Sequence, residues 1–306
     1  MRITVFTPTY NRAYILEQLY RSLQKQTCRD FEWLIVDDGS ADDTEALVRS
    51  WMEDSNAFPI RYFRQENGGK HRAINKGLEL AEGALFFIVD SDDWLPPDSI
   101  RCALHWADSL PTDRIRQYCG ICGLKAYSME EAVGTSFAGA WIDCTCLQRD
   151  AHGISGDKAE IFFTDVMRKY PFPEFEGENF ITEAVVWDRM AADGYLLRFF
   201  NEVIYLCEYR DDGLSNQGMN IFFRNPNGYG LYLRQSRMYG KFHPAAQSYH
   251  EVQCYLHWRR KMSLSSIARL LDRPPLRLLA KVGVYQLRQC AGKVKRSVIH
   301  LFRRSK

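Results

Sequence analysis

Three short apolar runs in the first third of the chain each stop at polar or acidic residues, and stretches of helical spacing separate them. Ile3–Phe6 runs into Thr7-Pro8-Thr9-Tyr10-Asn11, Phe31–Val36 into Asp37-Asp38-Gly39-Ser40, and Leu85–Val89 into Asp90-Ser91-Asp92-Asp93. Bulky runs this short fit buried strands better than helices. Between them, Ile15, Leu16, Leu19 and Leu23 recur at helical spacing to about Lys25, with Asn11 offered as a cap. Leu47, Val48 and Trp51 do the same behind a capping-box pattern, Ser40 followed by Asp43. Ile60–Arg64 reads as a further strand. Asn67-Gly68-Gly69 then opens a helix carrying Ala73, Ile74, Gly77, Leu78 and Ala81, which Gly83 closes. Strand and helix in alternation predict a parallel sheet wound by right-handed crossovers, which binds ligands beyond the carboxyl ends of its strands.

Three carboxylates within Asp90–Asp93 repel one another at neutral pH, so a cation is expected among them. Mg²⁺ or Mn²⁺ suits oxygen ligands, taking one or two carboxylates and completing its shell from phosphate and water. A solvated acidic turn before Trp94-Leu95-Pro96-Pro97 is the alternative. Two acidic strand ends near a Gly-Gly-Lys-His-Arg run favour a crevice for a nucleotide and a metal ion. That run is not a P-loop, because the spacing and the following Ser or Thr are missing.

After Pro97 a helix holds Ile100, Leu104 and Ala107, and Gln117–Tyr127 reads as a strand. A hairpin and loop follow over 128–156, and Asp157–Tyr170 reads as helical up to Pro171-Phe172-Pro173. Thr182 caps a helix with Glu183, Val186, Trp187 and Met190, and Phe199–Glu208 reads as an edge strand. Beyond it the pattern is helical over Phe222–Tyr239, His243–Lys261 and Ser263–Leu271, and again from Leu276 toward Phe302 after Pro274-Pro275. The expected layout is a domain 1–220, in halves 1–110 and 111–220, followed by a helical, basic extension 221–306.

Phe6–Arg12, Val36–Ser40, Asn67–Gly77 and Val89–Asp93, in that order, resemble the inverting family-two glycosyltransferases of bacterial envelope or capsular type. The likeness covers residues 1 to about 215. It implies the GT-A fold, a Rossmann-like and mostly parallel sheet flanked by helices, and a nucleotide-sugar donor, usually a UDP-sugar. On this resemblance Pro8, Thr9, Tyr10 and Asn11 lie by the base and ribose. Asp38 meets the uracil N–H, an acceptor-only carboxylate suiting a ring donor, and Asp37 precedes it. Asp90-Ser91-Asp92 is the DXD motif, with Asp92, and Asp93 in relatives with a shifted motif, as metal ligand. Lys70, His71 and Arg72 lie on the helix after the Gly-Gly turn, where a cation can meet the diphosphate, and Asn75 further along it is also expected to bind the nucleotide-sugar. Glu183 takes the place of the catalytic base, where the family's Glu-Asp is here Thr182-Glu183. Arg210, Asp212 and Ser215 take the place of a loop closing over the donor. Asp157, Lys158 and Glu160 are candidates for the acceptor side, or a helix cap with exposed charges.

Residues 259–306 hold fourteen Lys or Arg against one acid, Asp272, a balance of +13 that leaves −11 on the rest for a total of +2. Leu276, Leu279, Ala280, Val284, Leu287 and Ala291 form an apolar stripe with Arg277, Lys281, Arg288, Lys293, Lys295 and Arg296 mostly off it. Such a helix suits an anionic membrane surface, or packs on the domain with a solvated cationic face. No nucleic-acid motif accompanies the charge. Nine scattered cysteines and an amino terminus without a signal-peptide pattern point to a cytoplasmic protein with reduced thiols, peripheral on the cytoplasmic membrane face. Cys119, Cys122, Cys144 and Cys146 read as core thiols rather than zinc ligands. The expected reaction is metal-dependent transfer of one sugar to a saccharide or lipid-linked acceptor, since the Gln-x-x-Arg-Trp motif of processive relatives is missing. A nucleotidyltransferase making the nucleotide-sugar and a non-catalytic binding protein are the alternatives.

Overall fold

The amino-terminal run forms β1 (Ile3–Thr9), buried at every position as a strand covered on both faces must be. In the computed structural model, which describes residues 1–208, 210, 213, 217–287 and 289, the chain divides into two compact units between Gly218 and Met219. In the first unit β1 pairs in parallel with β2 (Phe31–Asp37) and with β4 (Leu85–Ile88), and β2 with β3 (Ile60–Arg64). The crossovers carry α1 (Leu16–Gln24), α2 (Thr44–Glu53) and α3 (Lys70–Leu80), each with its periodic apolar residues inward. Trp33, Trp51 and Tyr20 stack on one another under β2, and Gly77 lets α3 lie directly on the Phe6 ring, where a Cβ would come within 2.2 Å.

The rest of this unit comprises α4 (Ser99–Asp108), β5 (Tyr118–Ala126), β6 (Trp141–Cys144), β7 (Lys158–Phe163), α5 (Thr164–Met167), α6 (Ala184–Ala192) and β8 (Leu196–Leu206). The sheet has eight strands in the order β3-β2-β1-β4-β7-β5-β8-β6. Pairing is parallel in the amino-terminal half and for β5 with β8, while β7 runs antiparallel to β4 and β5, and β6 antiparallel to β8. The sheet with its flanking helices is the expected GT-A-type α/β architecture.

Several local expectations give way. Residues 158–163 form strand β7 at the centre of the sheet, not part of a helix; only Thr164–Met167 is helical. Strand β8 is interior, and β6 takes the edge. Asn11 does not cap α1. It sits in the left-handed region at φ 52° and its side-chain oxygen accepts from the Ala41 amide. Ser40 accepts from the Asn11 amide instead of closing a capping box, and α6 begins without a side-chain cap from Thr182.

The second unit packs α7 (Met219–Arg224), α8 (Pro226–Met238), α9 (Pro244–Trp258), α10 (Leu264–Leu270) and a helical stretch over 275–287 around Tyr229, Leu233, Trp258, Ile267, Leu271 and Leu278. Fully buried Glu251 takes the guanidinium of Arg273 at 2.8 Å and the ammonium of Lys281 at 2.5 Å. Leu276, Leu279, Val284 and Leu287 of the last stretch are exposed, whereas Leu278 and Val282 are buried. Arg288, Ala291, Lys293, Lys295 and Arg296 lie outside the described residues. Among the described residues no helix is long and apolar enough to cross a membrane.

Candidate functional site

Because β2, β1 and β4 are successive parallel neighbours, their carboxyl ends bring Asp37-Asp38, Pro8-Thr9-Tyr10 and Asp90-Ser91-Asp92 to one rim of the sheet. Helix α3 adds Lys70 from its first turn. The Lys70 ammonium bridges Asp90 Oδ1 at 2.7 Å and Glu183 Oε1 at 3.0 Å. This one lysine therefore joins the strand-end acids to a residue ninety-odd positions further along the chain, at the start of α6. Burial works against the charge on Lys70, but Asp90 and Glu183 outweigh it and hold its pKa well above the usual value. Burial likewise pushes Asp90 up, and Lys70, Lys125 and Arg12 overcome it and keep the carboxyl below its ordinary range. Arg12 reaches Asp92 Oδ2 at 3.7 Å.

The acids at the β2 tip have partners already. Asp37, fully buried, accepts from the Ser40 amide at 2.7 Å and the Tyr62 hydroxyl at 2.6 Å. Asp38 accepts from Gln65 Nε2, Asn67 Nδ2 and the amides of Gly68 and Gly69, at 2.7–3.2 Å. Four donors fill the lone pairs of its two oxygens. Asp38, expected to meet the uracil N–H, here clamps the 65–69 turn, and a ring N–H meeting it would replace one of these donors. Gly69 is obligatory in that turn, since φ is 96° and a Cβ would lie 1.8 Å from the Asn179 carbonyl oxygen. An open depression beside the clamp is lined by Gly39, Arg64, Gln65, Glu66 and Asn67.

Asn75 is engaged in the same way. Its amide donates to the Phe172 carbonyl at 3.0 Å and Glu174 at 2.9 Å and accepts from the Phe172 amide at 2.9 Å, so it ties α3 to the segment leading to Glu183. Arg72 reinforces the tie through the carbonyls of Phe175 and Glu178. Asp93, expected beside Asp92 as a metal ligand, is held from below. Its carboxylate is buried, with Oδ2 accepting from Lys125 Nζ at 2.9 Å and the Tyr205 hydroxyl at 2.8 Å. Among the described residues no three Asp, Glu, His or Cys side chains gather as a metal cluster. Asp90 and Asp92 remain, a pair of carboxylates at the rim.

Two buried groups at this end of the unit have unmet hydrogen-bonding capacity: the Thr9 hydroxyl and both ring nitrogens of His71. Burial, with help from Arg72, pushes the His71 pKa down to about 4 against the pull of Glu174 and Glu183, so the ring is neutral at physiological pH. Tyr10 is half exposed and Ser91 buried. Arg210 pairs with Glu208 at 2.7 Å, and Asp212 and Ser215 lie outside the described residues. On the other half, Lys158 is buried and donates to the carbonyl of Val133, and Glu160 pairs with Arg149, so neither is an exposed acceptor-side or helix-cap charge. Cys119, Cys122 and Cys144 are buried free thiols whose pKa burial raises, and Cys146 is half buried. Lys125 and Tyr205 were not legible as site residues, although a single lysine in the otherwise apolar stretch Tyr118–Ala126 was a visible signal.

Residues 4–118 match the family model for glycosyl transferase family 2. Over these residues the chain is similar to family-two glycosyltransferases. A curated relative, the GalNAc(5)-diNAcBac-PP-undecaprenol beta-1,3-glucosyltransferase of Campylobacter jejuni, is 27% identical over 192 residues, which are 61% of this chain and 58% of the relative. The chain thus spans under two thirds of that relative's length. The fold of this region and its surroundings is similar to that of S. aureus TarS 1-349 in complex with UDP-GlcNAc, with a TM-score of 0.62 at 19% identity over 85% of this chain and 73% of the other. It is also similar to the mannosyltransferase PcManGT of Pyrobaculum calidifontis, in complex with GDP-Man and Mn²⁺, at a TM-score of 0.55 and 22% identity over 94% and 80%.

Proposed function

We propose that this chain transfers one sugar from a nucleotide-sugar, a UDP-sugar in the first instance, to an acceptor hydroxyl with inversion at the anomeric carbon. The observation that carries the reading is the Lys70 bridge, which brings a strand-end acid of the donor rim and a carboxylate at a helix start within reach of one ammonium. Glu183 is the general base: it takes the proton of the acceptor hydroxyl as that oxygen attacks the sugar from the face opposite the diphosphate. Lys70 and Arg12 supply positive charge beside Asp90 and Asp92, where the diphosphate would lie. Asp92 and Asp90 would hold Mg²⁺ or Mn²⁺; two carboxylates suit such an ion, which fills its remaining positions from phosphate and water. When bound, the ion offsets charge on the leaving diphosphate. The base would lie over the depression beside Gln65 and Asn67.

The acceptor we favour is a saccharide carried on a lipid at the cytoplasmic membrane face. A relative whose name specifies an undecaprenol-linked acceptor supports this. So does the second unit, where the apolar stripe of 275–287 points away from that unit's own core instead of into it. No nucleic-acid partner is proposed. Incubation with UDP-sugars and Mn²⁺ tests the reading: slow UDP release, abolished by Glu183→Gln, marks the transferase. Nucleoside triphosphate made from the nucleotide-sugar and diphosphate marks the nucleotidyltransferase, and binding without turnover marks a carrier. Co-sedimentation with phosphatidylglycerol vesicles at low salt and its loss at high salt tests the membrane contact, and a protein soluble under both conditions removes it.

A further inference from the structure

Beneath the Asp90-Ser91-Asp92 turn lies a cluster of buried Asp93 and Tyr205 with half-buried Lys125. The Tyr205 hydroxyl accepts from the Asp90 amide at 2.9 Å and donates to Asp93 Oδ2 at 2.8 Å, so one phenol holds both ends of the turn. Lys125 donates to the same Asp93 oxygen at 2.9 Å, and its ammonium lies 4.6 Å from the centre of the Tyr205 ring. The two supports are register partners, since Lys125 on β5 lies opposite Tyr205 on β8. Just past the turn, Trp94 and Leu206 exchange backbone hydrogen bonds at 3.0 and 2.8 Å. Burial pushes Asp93 up, to about 6, against the downward pull of Lys125. Asp93 in turn holds Lys125 high although burial opposes it. A largely buried ion pair and a buried phenol are costly to keep unless each is fully engaged, and here each is engaged by the others.

We infer that Tyr205 and the Lys125–Asp93 pair are positioning residues. They set where Asp90 and Asp92 stand at the rim, and through them how tightly a divalent cation and a nucleoside diphosphate are held together. The inference rests on the proposed reading of the crevice for its second half only. The first half, that the turn's position depends on the phenol, stands on the hydrogen bonds above. Outer groups that orient metal-binding carboxylates commonly govern affinity about as strongly as the ligands' own geometry does, about 10-fold or more per group.

The experiment uses the full chain and Tyr205→Phe, which keeps the ring under Lys125 and removes only the hydroxyl. Tyr170→Phe is the control, because Tyr170 makes an equivalent hydroxyl bond to Asp193 at 2.6 Å in another part of the unit. Hydrogen exchange of a peptide covering residues 86–94 should quicken in Tyr205→Phe and stay at the wild-type rate in Tyr170→Phe. Mn²⁺ affinity in the presence of UDP, followed by the loss of the free-ion paramagnetic resonance signal, should fall about 10-fold in Tyr205→Phe and be unchanged in the control. Unchanged exchange at 86–94 overturns the inference whatever the metal does. Faster exchange with wild-type Mn²⁺·UDP affinity overturns its functional half. A wild-type protein that binds no Mn²⁺ with UDP refutes the reading of the crevice, and the exchange result then decides the positioning role alone. If Tyr205→Phe does not fold, Asp93→Asn, which keeps an acceptor oxygen for both partners but no charge, is read in the same two assays with the same outcomes.

Discussion

Lowering the pH from 7 to 5 is predicted to cost the amino-terminal unit about 2 kcal/mol through His71 alone. The ring is 2% exposed, neither nitrogen has a hydrogen-bond partner, and its pKa stands at about 4 in the folded chain against an ordinary 6.5. With the folded value depressed, the unfolded chain binds more protons between pH 6.5 and 4, so stability falls as the pH drops through that window and is full above it. The difference, RT ln[(1 + 10^(6.5 − pH))/(1 + 10^(4 − pH))], is about 0.2 kcal/mol at pH 7 and about 2 kcal/mol at pH 5. Other carboxylates titrate in the same range, so the wild type must be compared with His71→Leu, which fills the site without a titrating group. Urea unfolding at pH 7, 6 and 5, read by pulse hydrogen exchange in β1 and β2, scores this unit by itself. The advantage of His71→Leu over the wild type should grow by about 2 kcal/mol across the series. A gap that stays constant with pH would show that the imidazole finds a partner or water in solution, and would refute the argument from its isolation.

Gly69→Ala should cost well over 1 kcal/mol and release the clamp on Asp38, because the substitution meets both a positive φ and the Asn179 backbone; thermal unfolding and exchange at residues 65–69 read the two effects. Glu251→Ala should destabilise the helical unit by about 3 kcal/mol, since it removes the fully buried carboxylate on which the half-buried cations of Arg273 and Lys281 converge; a melting transition of that unit unchanged from wild type would contradict it. Asn75→Ala is expected to lower turnover with little change in donor affinity, by loosening the 172–178 segment that leads to Glu183 and leaving the β2 and β4 tips as they are. Steady-state kinetics with varied donor separates the two parameters.

The amino-terminal half of the fold was legible because its signals are local. Strands β1, β2 and β4 are mainly apolar runs buried almost throughout, and each helix shows a clean stripe, so order and direction follow from chain rules alone. Past residue 128 the signals conflict. Strand β7, Lys-Ala-Glu-Ile-Phe-Phe, carries a lysine and a glutamate at buried positions and runs straight into α5, so its period blends into a helical one. Its place in the sheet comes from pairing with β4 and β5, contacts the local pattern does not encode. Strand β8, expected at an edge over Phe199–Glu208, has exposed Asn201 and Glu202 and slips register at several points against β5, yet it sits inside the sheet through its pairing on both sides.

The same division explains the site. That carboxylates collect at neighbouring strand tips is visible in the sequence, because each group lies next to the run that delivers it. Which of them are free is not, because the groups that engage them come from far along the chain. Asp38 is taken by residues 65–69, Asp93 by Lys125 and Tyr205, and Asn75 by the 172–174 segment, partners 27 to 112 positions away. A rim of many acids therefore reduces to Asp90 and Asp92 facing Lys70 and Arg12, with Glu183 across the ammonium. In that arrangement the cations do two things at once. They neutralise carboxylates that would otherwise repel one another without a ligand, and they occupy the space in which a charged donor would replace one set of ionic contacts with another. Donor binding read this way is an exchange of partners around Lys70 rather than the filling of a vacant pocket, and its salt dependence should be weaker than a bare cationic site would give.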